Sequence, residues 1–436
     1  MSTKLTRADN KRFTRIIPAA AIMYMMALID RNNIGYAFEG MNNSFHLSAS
    51  VMGLVGGIFF IGYLLLQIPG GHFAAKYSAK KIIFFSIICW GLVAISLGLI
   101  QNSTQLLICR FLLGITESMV YPTTLILISK WFPLSERARA IGYWSIGGTL
   151  AGLIVGPLSG FIVDNLSWRW LFILEGLPAL LMAFVWWWAI AETPQEAKFL
   201  SKNEKDYLAK EFAKDALVNN GVVNGGWKAA LSNKFVWYLT LVFLLNNTFN
   251  YGLGLWLPNV VKNLTGSSYT IIGLLTSVAA GLGILSMYIT ANHSDKTKER
   301  KWHAAIILMV SGLSLLVSIL SIGTPFVSIA FILLAQGIWG GFSSVFWSIP
   351  PLLVSATALG AATGLINGVG NLGGFLGPYV FGFLIDKTGS TSTGLLFIVF
   401  VQILAGVLLA CLRHKNLKNN KTTKENNKPW KETKLS

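Results

Sequence analysis

About twelve apolar runs, each near twenty residues long and separated by short polar gaps, leave this chain few folds to choose from. A hydrocarbon core about 30 Å thick is crossed by roughly 20 residues of helix, so each run is one membrane span. Composition agrees: 53% of residues are hydrophobic, only 12% are charged, and the mean hydropathy is +0.59. Those values exclude the soluble domains that length alone would suggest. The first run starts near Arg15, behind Lys4, Arg7, Lys11 and Arg12, and is too long for a signal-peptide core. The predicted fold is all-α integral membrane, with twelve transmembrane helices in two six-helix parallel-repeat bundles.

The cations orient those spans. Thirty of the thirty-five Lys and Arg residues fall before the first span, in alternate loops and in the tail. The opposite side holds only Arg169, Lys262 and Lys387, and Arg31 and Arg110 lie within spans. By the positive-inside rule both termini are cytoplasmic, in a multi-pass protein of the cell membrane. The net charge of +17 is thus a topology signal, and no nucleic-acid partner is expected. The predicted order is a basic segment at 1–14, a first bundle at 15–191, a linker at 192–233, a second bundle at 234–413 and a basic tail at 414–436. Spans are placed at 15–38, 49–74, 80–101, 105–129, 139–163 and 169–191, then at 234–258, 269–291, 302–323, 325–347, 357–384 and 391–413. The linker holds a turn-prone N-N-G-V-V-N-G-G and, from Thr193 to Lys214, helical spacing of Phe199, Leu200, Tyr207, Leu208 and Phe212. Cys89, Cys109 and Cys411 fall inside spans without paired spacing or a histidine cluster, so no disulfide, metal or cofactor is expected.

Charge inside the spans is where function is to be sought. A charged side chain at mid-membrane costs about 2.5–3.5 kcal/mol on insertion scales, and persists where it is paired or faces a polar cavity. Asp30 and Arg31 lie together in the first span, and Arg110 and Glu117 lie two helical turns apart on one face of the fourth. These four form the predicted centre of a transport site. Arginine suits a carboxylate because its planar fork donates two parallel hydrogen bonds and keeps its charge. Arg31 is the predicted anion clamp, the plainer alternative being that it neutralises an acid. Arg110 is either a coupling residue or a structural partner of Asp30 or Glu117. On the seventh span Asn246, Asn247 and Asn250 crowd one region beside Tyr251, reading substrate hydroxyls or bonding between helices. Glu175 is expected to be structural. Trp186, Trp187 and Trp188, like Trp237 and Tyr238, read as an interfacial belt, and His72, His293 and His303 as helix-end groups.

The halves repeat each other. G-P-L-S-G-F-I-V-D from Gly156 to Asp164 returns, with one insertion, as G-P-Y-V-F-G-F-L-I-D from Gly377 to Asp386, and Ala75-Lys76 with Lys80-Lys81 returns as Asp295-Lys296 with Arg300-Lys301. Parallel repeats with a site at their interface describe a rocking secondary transporter. Glycines every fourth residue, at 148, 152, 156 and 160 and at 360, 364 and 368, let backbones approach, for packing alone or as surfaces that move between halves.

Nine motifs then carry a resemblance over nearly the whole chain: D-R-N-N-I at Asp30, R-F-L-L-G-I-T-E at Arg110, W-F-P-L-S-E-R-A-R-A at Trp131, W-R-W-L-F-I-L-E-G at Trp168, T-P-Q-E-A-K-F-L at Thr193, G-L-W-L-P at Gly254, S-D-K-T-K-E-R-K-W-H at Ser294, F-W-S-I-P at Phe346 and N-L-G-G-F-L-G-P at Asn371. In them the chain resembles the major facilitator superfamily and, within it, the anion:cation symporter family of organic-anion and sugar-acid transporters. The resemblance implies proton-coupled uptake of a carboxylate-bearing substrate by a non-enzymatic protein. It implies substrate contacts at Arg31, Tyr63, Ser344, Trp347 and Asn367, to which Asn250 is added from its spacing. It also implies proton handling by Asp30 and Glu117 coupled through Arg110, and gating at Asp295 and Lys296. Ala75 and Ser78 stand where the gating motif usually carries Asp and Gly, which predicts asymmetric gating. Leu28 and Gly148 replace two groups that relatives use for hydrogen bonding. The expected partners are a small organic anion, protons and the bilayer, with the chain a monomer. Exchange or efflux of an anion and a transporter-like sensor are the competing functions. An enzyme is the least supported, for want of a P-loop, metal-ligand spacing or nucleophile elbow.

Overall fold

The computed structural model describes residues 11–219 and 226–414. The first ten residues of the predicted basic segment, the interior of the linker turn, the tail beyond 414 and the side chain of His72 lie outside the described residues. The first bundle consists of α1 (Lys11–Asn32) with α2 (Ile34–Phe45), α3 (Ala49–Lys76), α4 (Ala79–Leu97), α5 (Ser103–Ser118) with α6 (Val120–Trp131), α7 (Leu134–Asn165) and α8 (Trp168–Ala189). Two helices follow, α9 (Lys202–Asn219) and α10 (Gly226–Ser232). The second bundle consists of α11 (Lys234–Thr265), α12 (Tyr269–Thr297), α13 (Lys301–Leu320), α14 (Pro325–Phe346), the short α15 (Pro350–Leu353), α16 (Ala356–Gly370) with α17 (Gly373–Thr388), and α18 (Thr391–Cys411). Among the described residues there is no strand.

Without water at mid-membrane the backbone has to satisfy itself, which helices do within each segment. Among the described residues eleven helical runs are long and apolar enough to cross a membrane, and α11 makes the twelfth when taken with α10, from which it bends by 74°. Short polar residues start the spans: Ser48, Ser78, Asn102, Asn233 and Ser268 each accept a backbone N–H from the first turn they precede. Gly266 and Gly389 end α11 and α17 in the left-handed conformation, which costs glycine nothing. Twelve crossings put both ends of the described chain on one face, here the terminal face; the other is the distal face.

Toward the distal face the bundles touch backbone to backbone. There α3 packs on α17, α7 on α12 and α2 on α11. A Cβ at Gly53 would strike the Pro378 carbonyl, and one at Gly160 the Tyr269 carbonyl. Toward the terminal face the bundles part around a cavity of about 440 Å³. The glycine rows divide accordingly. Gly156 and Gly160 lie against the opposite bundle, whereas Gly360, Gly364 and Gly368 border the open cavity with no neighbour closer than 3.9 Å to an added Cβ. The second row is therefore not a packing surface in this conformation.

The linker departs from its predicted form. Residues 190–201 are not helical, and the helix starts at Lys202, beyond Pro194. The apolar spacing nevertheless marks burial: Phe199 stacks on Trp131 with ring centroids 5.8 Å apart, and Leu208 is fully buried. Trp186 is no belt residue; it is buried and donates its indole N–H to the Lys80 carbonyl, while Trp187 and Trp188 are exposed.

Glu192 fills a gap in the repeat. Its carboxylate accepts from the Ser78 hydroxyl, from the backbone N–H groups of Ala79 and Lys80 (3.1 and 3.0 Å) and from Lys130 (2.7 Å). An acid therefore stands at the first-half loop although Ala75 and Ser78 depart from the motif there, and it is delivered from beyond the sixth span, whereas Asp295 belongs to the second-half motif itself. Partial burial works to raise the Glu192 carboxyl, but these donors outweigh it and hold it below the usual carboxylate range. A carboxyl lowered by folding adds stability above its unfolded value and loses it as pH falls through the folded one. Glu192→Gln is therefore expected to lower the melting temperature at neutral pH, with the gap from the parent closing in acid; a gap that persists in acid would show that the charge is not what is held.

Candidate functional site

The first span is tightened for one residue at Asn33, between α1 and α2: Asn33 N–H still reaches the Ile29 carbonyl (3.0 Å), while Tyr36 N–H bonds only three residues back, to the Asn33 carbonyl (3.0 Å), and the two helices run on as one crossing. The Asn33 side chain is fixed from behind. Asn33 donates to Glu175 (2.5 Å), whose other oxygen accepts from Ser159 (3.0 Å). Glu175 is thus satisfied by two neutral donors, as expected of a structural carboxyl. On the other side of this point Arg31 faces the interface between bundles.

Arg31 Nη2 lies 3.1 Å from Glu117 Oε2, with the arginine side chain 11% exposed and the glutamate fully buried. The guanidinium stands over Phe59 and Tyr63, 5.0 and 4.6 Å from their ring centroids. Arg110 Nε donates to the Val55 carbonyl (3.3 Å), with the head group 5.3 Å from the Phe59 centroid. Glu117 therefore pairs with Arg31, which is the alternative in which that arginine neutralises an acid, while of the options open for Arg110 a direct ion pair with Glu117 or Asp30 is not the one seen among the described residues. Seven residues of helix are about 10 Å of rise, so residues 110 and 117 share a face without touching, and the acid meets a cation from the neighbouring helix. Asp30, next to Arg31 in sequence but about 100° round the helix, is buried and makes no ion pair within 4 Å among the described residues. Several polar atoms are left over: Arg31 Nε, Arg110 Nη1, Glu117 Oε1 and Asp30 Oδ2 are buried without a hydrogen bond.

Both arginines line a cavity of about 80 Å³ between the bundles, together with Asn32, Asn250, Tyr251 and Gln336. Here the structure joins Asn250 to Arg31, as the spacing on the seventh span allows. Asn246 and Asn247 are used elsewhere. Asn246 accepts from Trp339 (2.7 Å) and Asn247 donates to the Gly370 carbonyl (3.1 Å), both bonds between helices. Trp347 and Asn367 border the larger cavity toward the terminal face, across from Gln67 and Tyr121. Asn367 also accepts from Asn371 (2.8 Å). Tyr63 is buried beneath Arg31, positioned to support it. Ser344 borders neither cavity and spends its hydroxyl on the Gly341 carbonyl (2.7 Å), one turn back on its own helix. Gln336 is the residue the sequence reading missed; a single amide in an apolar span was its only signal, and its Oε1 is buried without a partner.

At the terminal face Asp295 pairs with Arg300 (2.5 Å), which also donates to Ser294 (3.0 Å). Lys296 is exposed and makes no ion pair within 4 Å among the described residues. His293 and His303 hydrogen-bond to each other at 2.6 Å and line neither cavity.

The chain as a whole is similar to known proteins. The chain is 32% identical over 417 residues to a quinolone resistance transporter of Acinetobacter baumannii, covering 94% of this chain and 95% of that one. It is 32% identical over 415 residues to a putative tartrate transporter of Agrobacterium vitis, covering 93% and 95%. In fold it matches a bacterial homologue of the human lysosomal transporter Spinster, solved inward-facing and occupied, with a TM-score of 0.75 at 17% identity over 93% of this chain and 97% of that one. The description of the Major Facilitator Superfamily matches residues 20–378, and the chain belongs to that superfamily of membrane transporters.

Proposed function

We propose that this transporter takes up a small carboxylate-bearing organic anion together with a proton, by alternating access, across a plasma membrane with both termini in the cytoplasm. The observation that carries the reading is the Arg31–Glu117 pair at the edge of a cavity held between the bundles. An arriving carboxylate and Glu117 compete for one guanidinium. Protonating Glu117 removes the competitor, so anion and proton load together and the buried charge stays balanced. This places the coupling contact at Arg31 itself, with Arg110 a second cation whose Nη1 is open to the guest. Asp30 is assigned to the same proton path as a buried carboxyl next in sequence to Arg31. Asn250 and Gln336 face the guest from the second bundle, with amides suited to hydroxyl or carbonyl groups. Trp347 and Asn367 belong to the route between the site and the terminal face. Asp295 and Lys296 act in gating at that face. The relative named as a tartrate transporter supports an organic acid as cargo. The relative named for quinolone resistance favours a second reading, export of an anionic compound by the same site.

Uptake of a labelled organic-acid panel into proteoliposomes, with and without an imposed pH gradient, separates these readings. Symport requires accumulation that follows the proton gradient; exchange runs only against a preloaded anion. Glu117→Gln is expected to abolish gradient-driven accumulation and to leave counterflow intact, and accumulation that survives in this variant sinks the coupling assignment. Arg31→Lys keeps the charge and loses the planar fork, so substrate affinity should fall by at least about tenfold. Asn250→Ala and Gln336→Ala are each expected to weaken affinity by about fivefold without uncoupling protons, the loss of one hydrogen bond.

A further inference from the structure

The two carboxylates that close the repeated Gly-Pro motifs both cross the interface. Asp164, at the end of α7, accepts the backbone N–H groups of Tyr269 (3.0 Å) and Thr270 (2.7 Å) and the Thr270 hydroxyl (2.7 Å). Asp386, near the end of α17, accepts the backbone N–H groups of Ala49 (2.9 Å) and Ser50 (2.7 Å). Each acid belongs to one bundle and each helix start to the other.

A helix start leaves several N–H groups without an intrahelical acceptor and carries partial positive charge. At both starts the local serine takes only the third of these: Ser268 accepts from Ile271 and Ser48 from Val51. The first two N–H groups of α12 and of α3 are then satisfied by the aspartate of the opposite bundle. Neither aspartate has a cation within 4 Å among the described residues, so the helix start is the positive group that each one meets. The two junctions repeat each other, the fifth span on the eighth and the eleventh on the second, and both lie at the distal face.

We propose that Asp164 and Asp386 are a matched pair of latches that hold the distal side shut, and that both release when the site opens to that side. Opening exchanges four backbone hydrogen bonds and two charge–dipole contacts for water. The latches border neither cavity, so they set the balance between the two facing states and not the contacts of the guest. Weakening them shifts the resting population toward the distal-open state. A guest offered from the distal side then binds with higher apparent affinity, because apparent affinity scales with the competent fraction. The inference rests on alternation between two faces and not on the identity of the anion or on proton coupling.

Thiol accessibility tests it without any substrate. In a background with Cys89, Cys109 and Cys411 replaced by Ser, two reporters fit without crowding: Gly254→Cys, at the cavity of Arg31, and Gly360→Cys, at the terminal cavity, since a Cβ at either meets nothing within 4 Å. A membrane-impermeant maleimide is applied to right-side-out and inside-out vesicles. Asp164→Asn and Asp386→Asn are each expected to raise Gly254→Cys labelling from the distal face by about fivefold, and the pair together by more than tenfold. Gly360→Cys labelling from the terminal face falls in step. Unchanged distal labelling in the double variant overturns the proposal, and so does a rise at both reporters, which is general loosening. If the double variant fails to assemble, Thr270→Val deletes one latch bond and keeps both carboxylates. It is expected to raise distal labelling about twofold, and no rise there overturns the proposal equally.

Discussion

A guanidinium or carboxylate withdrawn from water is costly until other groups replace its solvation. That constraint arranges the centre of this protein. Arg31 and Glu117 neutralise each other, Arg110 leans on the Val55 carbonyl, and Phe59 lies beneath both guanidinium groups. The solvation is nevertheless left incomplete, and the shortfall is local. Arg31 Nε, Arg110 Nη1 and Gln336 Oε1 are all unbonded, and all three residues border one small cavity between the bundles. Contrast Glu175, equally buried in the first bundle, whose two oxygens are both occupied by neutral donors. One carboxyl is finished and holds the tightened turn at Asn33; the other cluster has valence to spare.

The same chemistry at the backbone closes one face of the interface. Where helices approach through Gly53 and Gly160 there is no room for a side chain, so at those two points the contact is main chain against main chain. Such contacts are tight and short in range, and a small separation abolishes them. Helix starts add a directional component, since their free N–H groups need an acceptor whichever bundle supplies it. At the terminal face no comparable row exists, and Gly360, Gly364 and Gly368 face open space instead. By the offset of the Gly-Pro repeat the counterparts of Gly156 and Gly160 are Gly377 and Gly382, and a Cβ at Gly382 would strike the Ala49 carbonyl of the opposite bundle just as one at Gly160 would strike that of Tyr269.

How far the sequence disclosed this depends on what one helix can say about another. Periodicity and composition report on a single segment, so the spans, their order and the membrane setting follow from apolar length and from where the cations fall. The G-P motif ending in Asp164 and Asp386 marks the repeat on inspection alone. Partners are a different matter. Residues 110 and 117 share a face, which invites a pair, yet helical rise holds them apart and Arg31 takes the acid. Gln336 carries no periodic signal, and only the fold brings it opposite the arginines. Glu192 likewise sits more than a hundred residues from the loop that it caps. The apolar spacing around Phe199 marked burial correctly and helix wrongly, because a stacked side chain needs a surface and not a regular backbone.

The tightened turn at Asn33 ties the two regions together. Arg31 lies two residues before it, at the cavity, and Gly35 and Tyr36 lie just beyond it, against the second bundle. There Asn259 donates to the Gly35 carbonyl (3.0 Å) and Tyr36 hydrogen-bonds with Thr276 (2.8 Å). Glu175 therefore fixes, through Asn33, the point from which Arg31 faces the cavity on one side and α2 meets the second bundle on the other, so the buried carboxyl of the first bundle sets the placement of both regions at once.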